Sequence, residues 1–217
     1  MLFIIVLIVL LAYLYGGFST ARVITKSVRS LNIYKVGSGF ADTENIYSNV
    51  SKPLGVLVGA VDITKSYAFL YFVHLLLTVL DKMNIPPDLS VLYNDNIMML
   101  YGVALLVGHC LPLTNKLRGG RGIFTYIGIL LFINPYPMLI TLVLAMLLIL
   151  VFHQIRFAQY CIVLFPVILT QLMSSLHKYL PVMPVQNTIS SFTSKLLGLA
   201  VLMGILNFIV SKRLKEF

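Results

Sequence analysis

Long apolar runs, broken by few charges, constrain this chain more than any other feature. Seven can be read, at approximately residues 2–18, 54–80, 96–113, 123–134, 137–153, 158–176 and 196–211. A helix crosses a bilayer with about 20 residues, so six of these runs fit a span and the fourth is short. The fourth and fifth are parted only by Asn134-Pro135-Tyr136-Pro137, a turn with two helix breakers. The expected fold is all-α: a polytopic membrane helical bundle of about seven transmembrane helices, with six as the alternative. Residues 1–217 are expected to form a single membrane-embedded domain.

Composition narrows the alternatives. The chain is 59% hydrophobic and 11% charged, with mean hydropathy +0.95, whereas a soluble domain is about 45–50% apolar and about 25% charged. Disorder needs low hydrophobicity and is excluded as well. The net charge of +9 is scattered between apolar runs, without a basic tract interleaved with aromatics, so it reads as membrane topology rather than nucleic-acid binding. With seven spans, one side carries Arg22, Lys26, Arg29, Lys35, Lys52, Lys116, Arg118, Arg121, Arg156, Lys212, Arg213 and Lys215. The other carries Lys82, Lys178 and Lys195. That asymmetry predicts the N-terminus outside and the C-terminus in the cytoplasm. Met1 to Tyr15 has no positive charge before its apolar run and no small-x-small site after it, so a retained first helix is expected. Cys110 and Cys161 lie within apolar runs and read as small hydrophobes.

Three places are more polar than a membrane scaffold requires. The long loop Thr20–Pro53 holds Gly37-Ser38-Gly39 and then Asp42, Glu44 and Asn45. Such a turn either holds an anion on its backbone N–H groups or is simply flexible. Next, Gly108-His109 and Pro112 lead into Arg118-Gly119-Gly120-Arg121-Gly122 before the fourth run. Glycines permit close approach, guanidiniums give forked donors, and a helix N-terminus adds its dipole, all suited to phosphate. The same residues also fit a positive-inside loop. Third, Asp62 and Lys65 lie three apart within the second run, where they share a helix face. Ionisable groups in a span point to function by default, and a structural ion pair is the competing reading. There is no H-E-x-x-H, and His74, His109, His153 and His177 are dispersed, so no metal site is expected.

These residues resemble the bacterial acyl-phosphate:glycerol-3-phosphate acyltransferase family (PlsY). The family pattern GSGNxGATNxxR aligns without gaps to Gly37–Ser48, and GHxxPxxxxFKGGKG to Gly108–Gly122, with arginine for lysine at 118 and 121. Thr125 and Gly128 continue the second match. The resemblance implies an inner-membrane enzyme that moves a fatty acyl group from acyl phosphate to the sn-1 hydroxyl of glycerol 3-phosphate. Lysophosphatidic acid for phospholipid synthesis results. No cofactor is implied, and the partners are those two substrates and membrane lipid. It implies Ser38, Arg121 and His109 as catalytic residues. For substrate phosphate it implies Gly37, Gly39, Asn45, Arg118, Gly119, Gly120, Gly122 and Lys65.

This chain departs from the pattern at several positions. Phe40 stands for Asn, Asp42 for Gly, Glu44 for Thr, and Ser48 for the arginine expected at substrate phosphate. The family's S-x-x-S appears as Gln159 and Ile162, and its C-terminal His and Asn align with Asn207 and Val210. Losing an arginine bound to phosphate costs on the order of 1.5–3 kcal/mol. Either Lys35 or Lys52 compensates, or the activity has changed. A second reading is therefore a catalytically degenerate member that binds lipid or a partner membrane protein. A third is a small transporter using Asp62 and Lys65.

Overall fold

The structure is a computed structural model and describes residues 1–84, 89–176 and 189–213, with backbone alone at 189 and 213. His177, Lys178 and Lys215 lie outside the described residues, as does the side chain of Arg213.

Every apolar run is helical. The helices are α1 (Leu2–Gly16), α2 (Thr20–Arg29), α3 (Thr43–Asn49), α4 (Lys52–Lys82), α5 (Asp95–Cys110), α6 (Ile123–Ile133), α7 (Pro135–Phe152), α8 (Ile155–Ser175) and α9 (Ile189–Arg213). Among the described residues six segments are long and apolar enough to cross a membrane, and α6 is an additional short apolar helix. The turn at Asn134 falls where the two prolines lead the sequence to expect it: α6 ends at Ile133 and Pro135 opens α7.

The polar segment expected as the loop Thr20–Pro53 is largely helical instead. Ser19 caps α2 by accepting the Arg22 N–H at 3.3 Å, and Ser30 ends it in the left-handed region. The buried positions of α2, Thr20, Ala21 and Thr25, follow a helical repeat, while Arg22, Lys26 and Arg29 face out. Asp42 caps the short α3 through the Asn45 N–H at 2.9 Å.

In lipid, helices gain little from excluding water, and small residues that permit close contact matter more. A Cβ at Gly108 would stand 2.1 Å from the Tyr13 carbonyl oxygen, and one at Gly128 would stand 2.3 Å from that of Ile63. α1 therefore rests on α5, and α6 on α4, backbone to backbone. The Tyr13 hydroxyl strengthens the first contact by donating to the Leu111 carbonyl at 2.7 Å. Most of the buried apolar side chains join one cluster, which includes Tyr101, Leu105, Tyr126 and Met138. A smaller cluster of Ala21, Ile33, Ala41, Ile46 and Val58 fastens α2 and α3 to α4. Together these contacts bring the start of α3, the middle of α4, the end of α5 and the start of α6 to one place.

Candidate active site

Asp62 and Lys65 are a buried pair. Lys65 Nζ lies 2.8 Å from Asp62 Oδ1, donates to the Phe18 carbonyl at 2.9 Å, and sits 3.4 Å from His109 Nδ1. The Thr20 hydroxyl donates to the same carboxylate oxygen at 3.0 Å. An ammonium can only donate, so Nδ1 accepts. The pair thus ties the link between α1 and α2, the start of α2, α4 and α5 together, and His109 is placed by it.

The glycine loop packs directly on this base. A Cβ at Gly119 would meet the His109 carbonyl oxygen at 2.1 Å, and one at Gly120 would meet His109 Nε2 at 2.7 Å. The Gly120 N–H donates to the His109 carbonyl at 3.3 Å, and Gly119 accepts from the Ala41 N–H at 3.4 Å. Gly122, at φ +82°, turns the chain into α6 and leaves that helix without a side-chain cap. The residues that open it, Gly122, Ile123 and Phe124, line the neighbouring cavity.

That cavity, of about 20 Å³, is lined by Asp42, Thr43, Glu44, Asp62, His109, Arg121, Gly122, Ile123, Phe124 and Gln159. Arg121 dominates it. Its Nε is 3.0 Å from Asp42 Oδ2, its Nη1 is 3.3 Å from Glu44 Oε2, and its guanidinium carbon is 4.6 Å from the centre of the Phe40 ring. Gln159 Nε2 donates to Glu44 Oε2 at 2.8 Å. Four departures from the family pattern, at 40, 42, 44 and 159, are therefore one connected set around a single arginine. Burial raises the Asp42 carboxyl above its ordinary range, against the lowering effect of Arg121 and the Asn45 N–H.

Asn45 is engaged within its own turn. Its amide nitrogen donates to the Val36 and Phe40 carbonyls at 3.0 and 2.8 Å, and its oxygen accepts from the Ser38 N–H at 3.2 Å and from Asn49 at 3.0 Å. It braces the turn in which Gly37 and Gly39 both have positive φ. The hydroxyls of Ser38 and Thr43 are buried without a hydrogen-bond partner among the described residues. Thr43, which sequence reasoning missed, lines the cavity.

Arg118 is exposed and lies apart from that lining. Its carbonyl accepts the Tyr34 hydroxyl at 3.0 Å. Lys35, Ser48 and Lys52 are exposed as well, and neither lysine lines the cavity at Arg121.

A second cavity opens beside the first. It measures about 590 Å³ and runs between α8 and α9, lined by Arg121, Ile123, Arg156, Gln159, Tyr160, Val163, Leu164, Ala200, Met203, Gly204, Asn207, Phe208 and Ser211. Arg156, also missed, borders its polar end. Gln159 and Asn207 face the groove, whereas Ile162 and Val210 are buried apolar residues outside its lining. The two cavities share Arg121, Ile123 and Gln159.

A sequence model of the family described as glycerol-3-phosphate acyltransferase matches residues 6–212. This chain belongs to that family. A relative named glycerol-3-phosphate acyltransferase from Nostoc sp. is 31% identical over 129 residues, 58% of this chain and 57% of the relative. The match thus spans little more than half of that relative's length. The protein of the same name from Staphylococcus aureus strain Newman is 26% identical over 155 residues, covering 71% and 73% of the two chains. Two solved structures share the fold. Both are of PlsY (YgiH), described as an integral membrane glycerol 3-phosphate acyltransferase. Its glycerol 3-phosphate form gives a TM-score of 0.66 at 20% identity, covering 96% of this chain and 88% of that one. Its lysophosphatidic acid form gives 0.63 at 19% identity over the same shares. The chain is a multi-pass membrane protein of this family's fold.

Proposed function

We propose that this chain transfers a fatty acyl group from acyl phosphate to the sn-1 hydroxyl of glycerol 3-phosphate, giving lysophosphatidic acid and phosphate. One observation carries the reading beyond family membership. A small cavity lined mainly by charged and polar residues and a larger groove lined by both apolar and polar residues meet at Arg121, Ile123 and Gln159. Such a junction suits a reaction that joins a water-soluble head to a lipid tail.

The chemistry asks little of the protein. An acyl phosphate is a mixed anhydride and already activated. What remains is to hold hydroxyl and carbonyl together and to stabilise charge on the oxyanion and departing phosphate. Arg121, exposed Arg156 and the uncapped N-terminus of α6 are the groups for that charge. His109 and Lys65 support the glycine loop, and Gly37, Ser38, Gly39 and Asn45 shape the first turn beside it. The acyl chain would lie between α8 and α9. From the distribution of Lys and Arg, the head-group side faces the cytoplasm of a bacterial inner membrane.

The test is turnover. Purified protein in nanodiscs is given palmitoyl phosphate and labelled glycerol 3-phosphate, with Arg121→Ala as the control. Label appearing in lysophosphatidic acid, and lost in the variant, supports the reading. A folded, monodisperse sample that binds lysophospholipid without turnover would instead favour the degenerate, lipid-binding member. The clamp of Asp42 and Glu44 on Arg121 is the observation on that side.

A further inference from the structure

We propose that Glu44 is the general base that takes the proton from the acceptor hydroxyl, an assignment that rests on the acyl transfer above. Glu44 lies in the first turn of α3, at a position where the family pattern has threonine, and its side chain is 37% exposed. Its Oε2 is fixed by Arg121 at 3.3 Å and by Gln159 at 2.8 Å. Those are two of the three residues common to the small cavity and the larger groove. The carboxylate is therefore held at the junction itself, where a hydroxyl from one side meets a carbonyl from the other.

The remaining oxygen decides the role. Oε1 of Glu44 makes no hydrogen bond among the described residues, so a lone pair is available in the cavity. The neighbouring candidates are less suited. Asp42 accepts from the Asn45 N–H at Oδ1 and is paired with Arg121 at Oδ2. His109 Nδ1 faces the Lys65 ammonium, which leaves the ring proton of the neutral imidazole on Nε2 and no free lone pair. Asp62 keeps Oδ2 open, but its carboxylate is paired with Lys65 at 2.8 Å, is only 3% exposed and is held by neither Arg121 nor Gln159. The charged and titratable groups around Glu44 are Asp42 on its own turn, Arg121 before α6, Asp62 on α4 and His109 on α5. Arg156 on α8 borders the adjoining groove.

The step balances without a further reactant. The hydroxyl oxygen bonds to the acyl carbon as its proton passes to Oε1. The bond from that carbon to the bridging phosphate oxygen then breaks, and the phosphate leaves with the proton from Glu44. The ester and hydrogen phosphate are the products, and Glu44 returns to its ionised form.

The test compares two acceptors in Glu44→Gln, which keeps the size of the side chain and a partner for Gln159 but removes the basic oxygen. With glycerol 3-phosphate, kcat should fall about 10²- to 10⁴-fold, with KM unchanged or lower. The second acceptor carries a thiol in place of the sn-1 hydroxyl. A thiol ionises near pH 8.5, so at pH 9 it needs no base, and the defect should shrink to under about tenfold. Glu44→Asp, which keeps the charge beside Arg121, should show the same acceptor dependence with a smaller loss, and it decides the matter where the glutamine variant is not monodisperse. Equal defects with both acceptors, or a Glu44→Gln enzyme within about threefold of wild type on the hydroxyl, would overturn the base. Wild-type protein inert with both acceptors would remove the reaction and the base with it.

Discussion

Arg121 reaches across the chain to Asp42: its Nε lies 3.0 Å from Oδ2 of a residue 79 positions away. Both side chains are mostly buried, at 16% and 10% exposure. The contact joins the N-cap of α3 to the glycine loop before α6, so it holds together the two segments that carry the family resemblance. It also places a carboxylate where an anionic substrate would compete for the same guanidinium.

Replacing Arg121 by alanine should therefore have two separable effects. Turnover and glycerol 3-phosphate affinity should be lost, and stability should fall by about 1–3 kcal/mol because Asp42 is left without its partner. In a chain of this size that is a drop of about 2–4 °C in Tm per kcal/mol. Adding Asp42→Asn should restore the melting temperature and leave turnover absent, as read by thermal unfolding in detergent beside the acyl-transfer assay.

Asp42 should make stability depend on pH. Burial, the largest influence, raises its carboxyl above the ordinary 3.8 despite Arg121. The folded protein then binds this proton at a pH where the unfolded chain has released it. The contribution is present below 3.8 and is lost as pH rises through the raised value. Melting temperature should accordingly increase as the pH is lowered from neutrality into that window, and Asp42→Asn should flatten the rise. An unchanged profile in the variant would remove Asp42 as its source.

Breaking the Asp62–Lys65 pair from one side should be worse than removing it. Side-chain exposure is 6% for Lys65 and 3% for Asp62, so Lys65→Met leaves a buried carboxylate and should cost about 3–5 kcal/mol. Lys65→Met with Asp62→Leu should recover most of that loss. Liposomes containing the single variant Asp62→Asn should show the same solute uptake as wild type. Uptake abolished by that change would revive the transporter reading.

Within the glycine loop, Gly119→Ala should be more damaging than Gly120→Ala. The first added methyl meets two backbone carbonyl oxygens, those of His109 and Cys110, at 2.1 and 2.6 Å, whereas the second meets a ring nitrogen that can rotate away from Lys65 and one backbone carbonyl, that of Ala41, only marginally too close at 2.9 Å. Unfolding of both variants in detergent ranks them. Gly120→Ala should keep the fold while losing activity, because the displaced imidazole disturbs the loop under Arg121.

The spans were legible because lipid leaves an apolar helix few alternatives, and each run coincides with a helix to within a few residues, apart from an earlier start for α9. The order of the glycine, serine and histidine motifs was legible too, and the structure brings Gly37–Asn45 against Gly119–Gly122. What could not be read were relations across the chain. The polar stretch before α4 resembles a loop in composition, yet Ala21 and Thr25 fall four apart on the face that packs against α4, and Ser19 supplies a cap. Asp42 and Glu44 look like intruders in an anion site until Arg121, Phe40 and Gln159 are seen around them. A signal did exist, since two added carboxylates and a retained arginine are complementary charges. No spacing rule joins residues that far apart. Arg156 was counted only toward topology, because its place at the groove depends on how α8 meets α9.

The brevity of α6 sets the depth at which all this happens. At about 1.5 Å per residue, its 11 residues climb only about 16 Å from the turn at Asn134, whereas the 18 residues of α7 climb about 27 Å from the same turn. Measured along its own axis, α6 is thus roughly 10 Å shorter than α7, and Gly122 and Arg121 stand at its short end. On the acyl-transfer reading, the protein has sunk a well into the leaflet. On that same reading the hydrophilic acceptor would make the vertical journey, and the fatty donor would stay in its own stratum, sliding in sideways between α8 and α9.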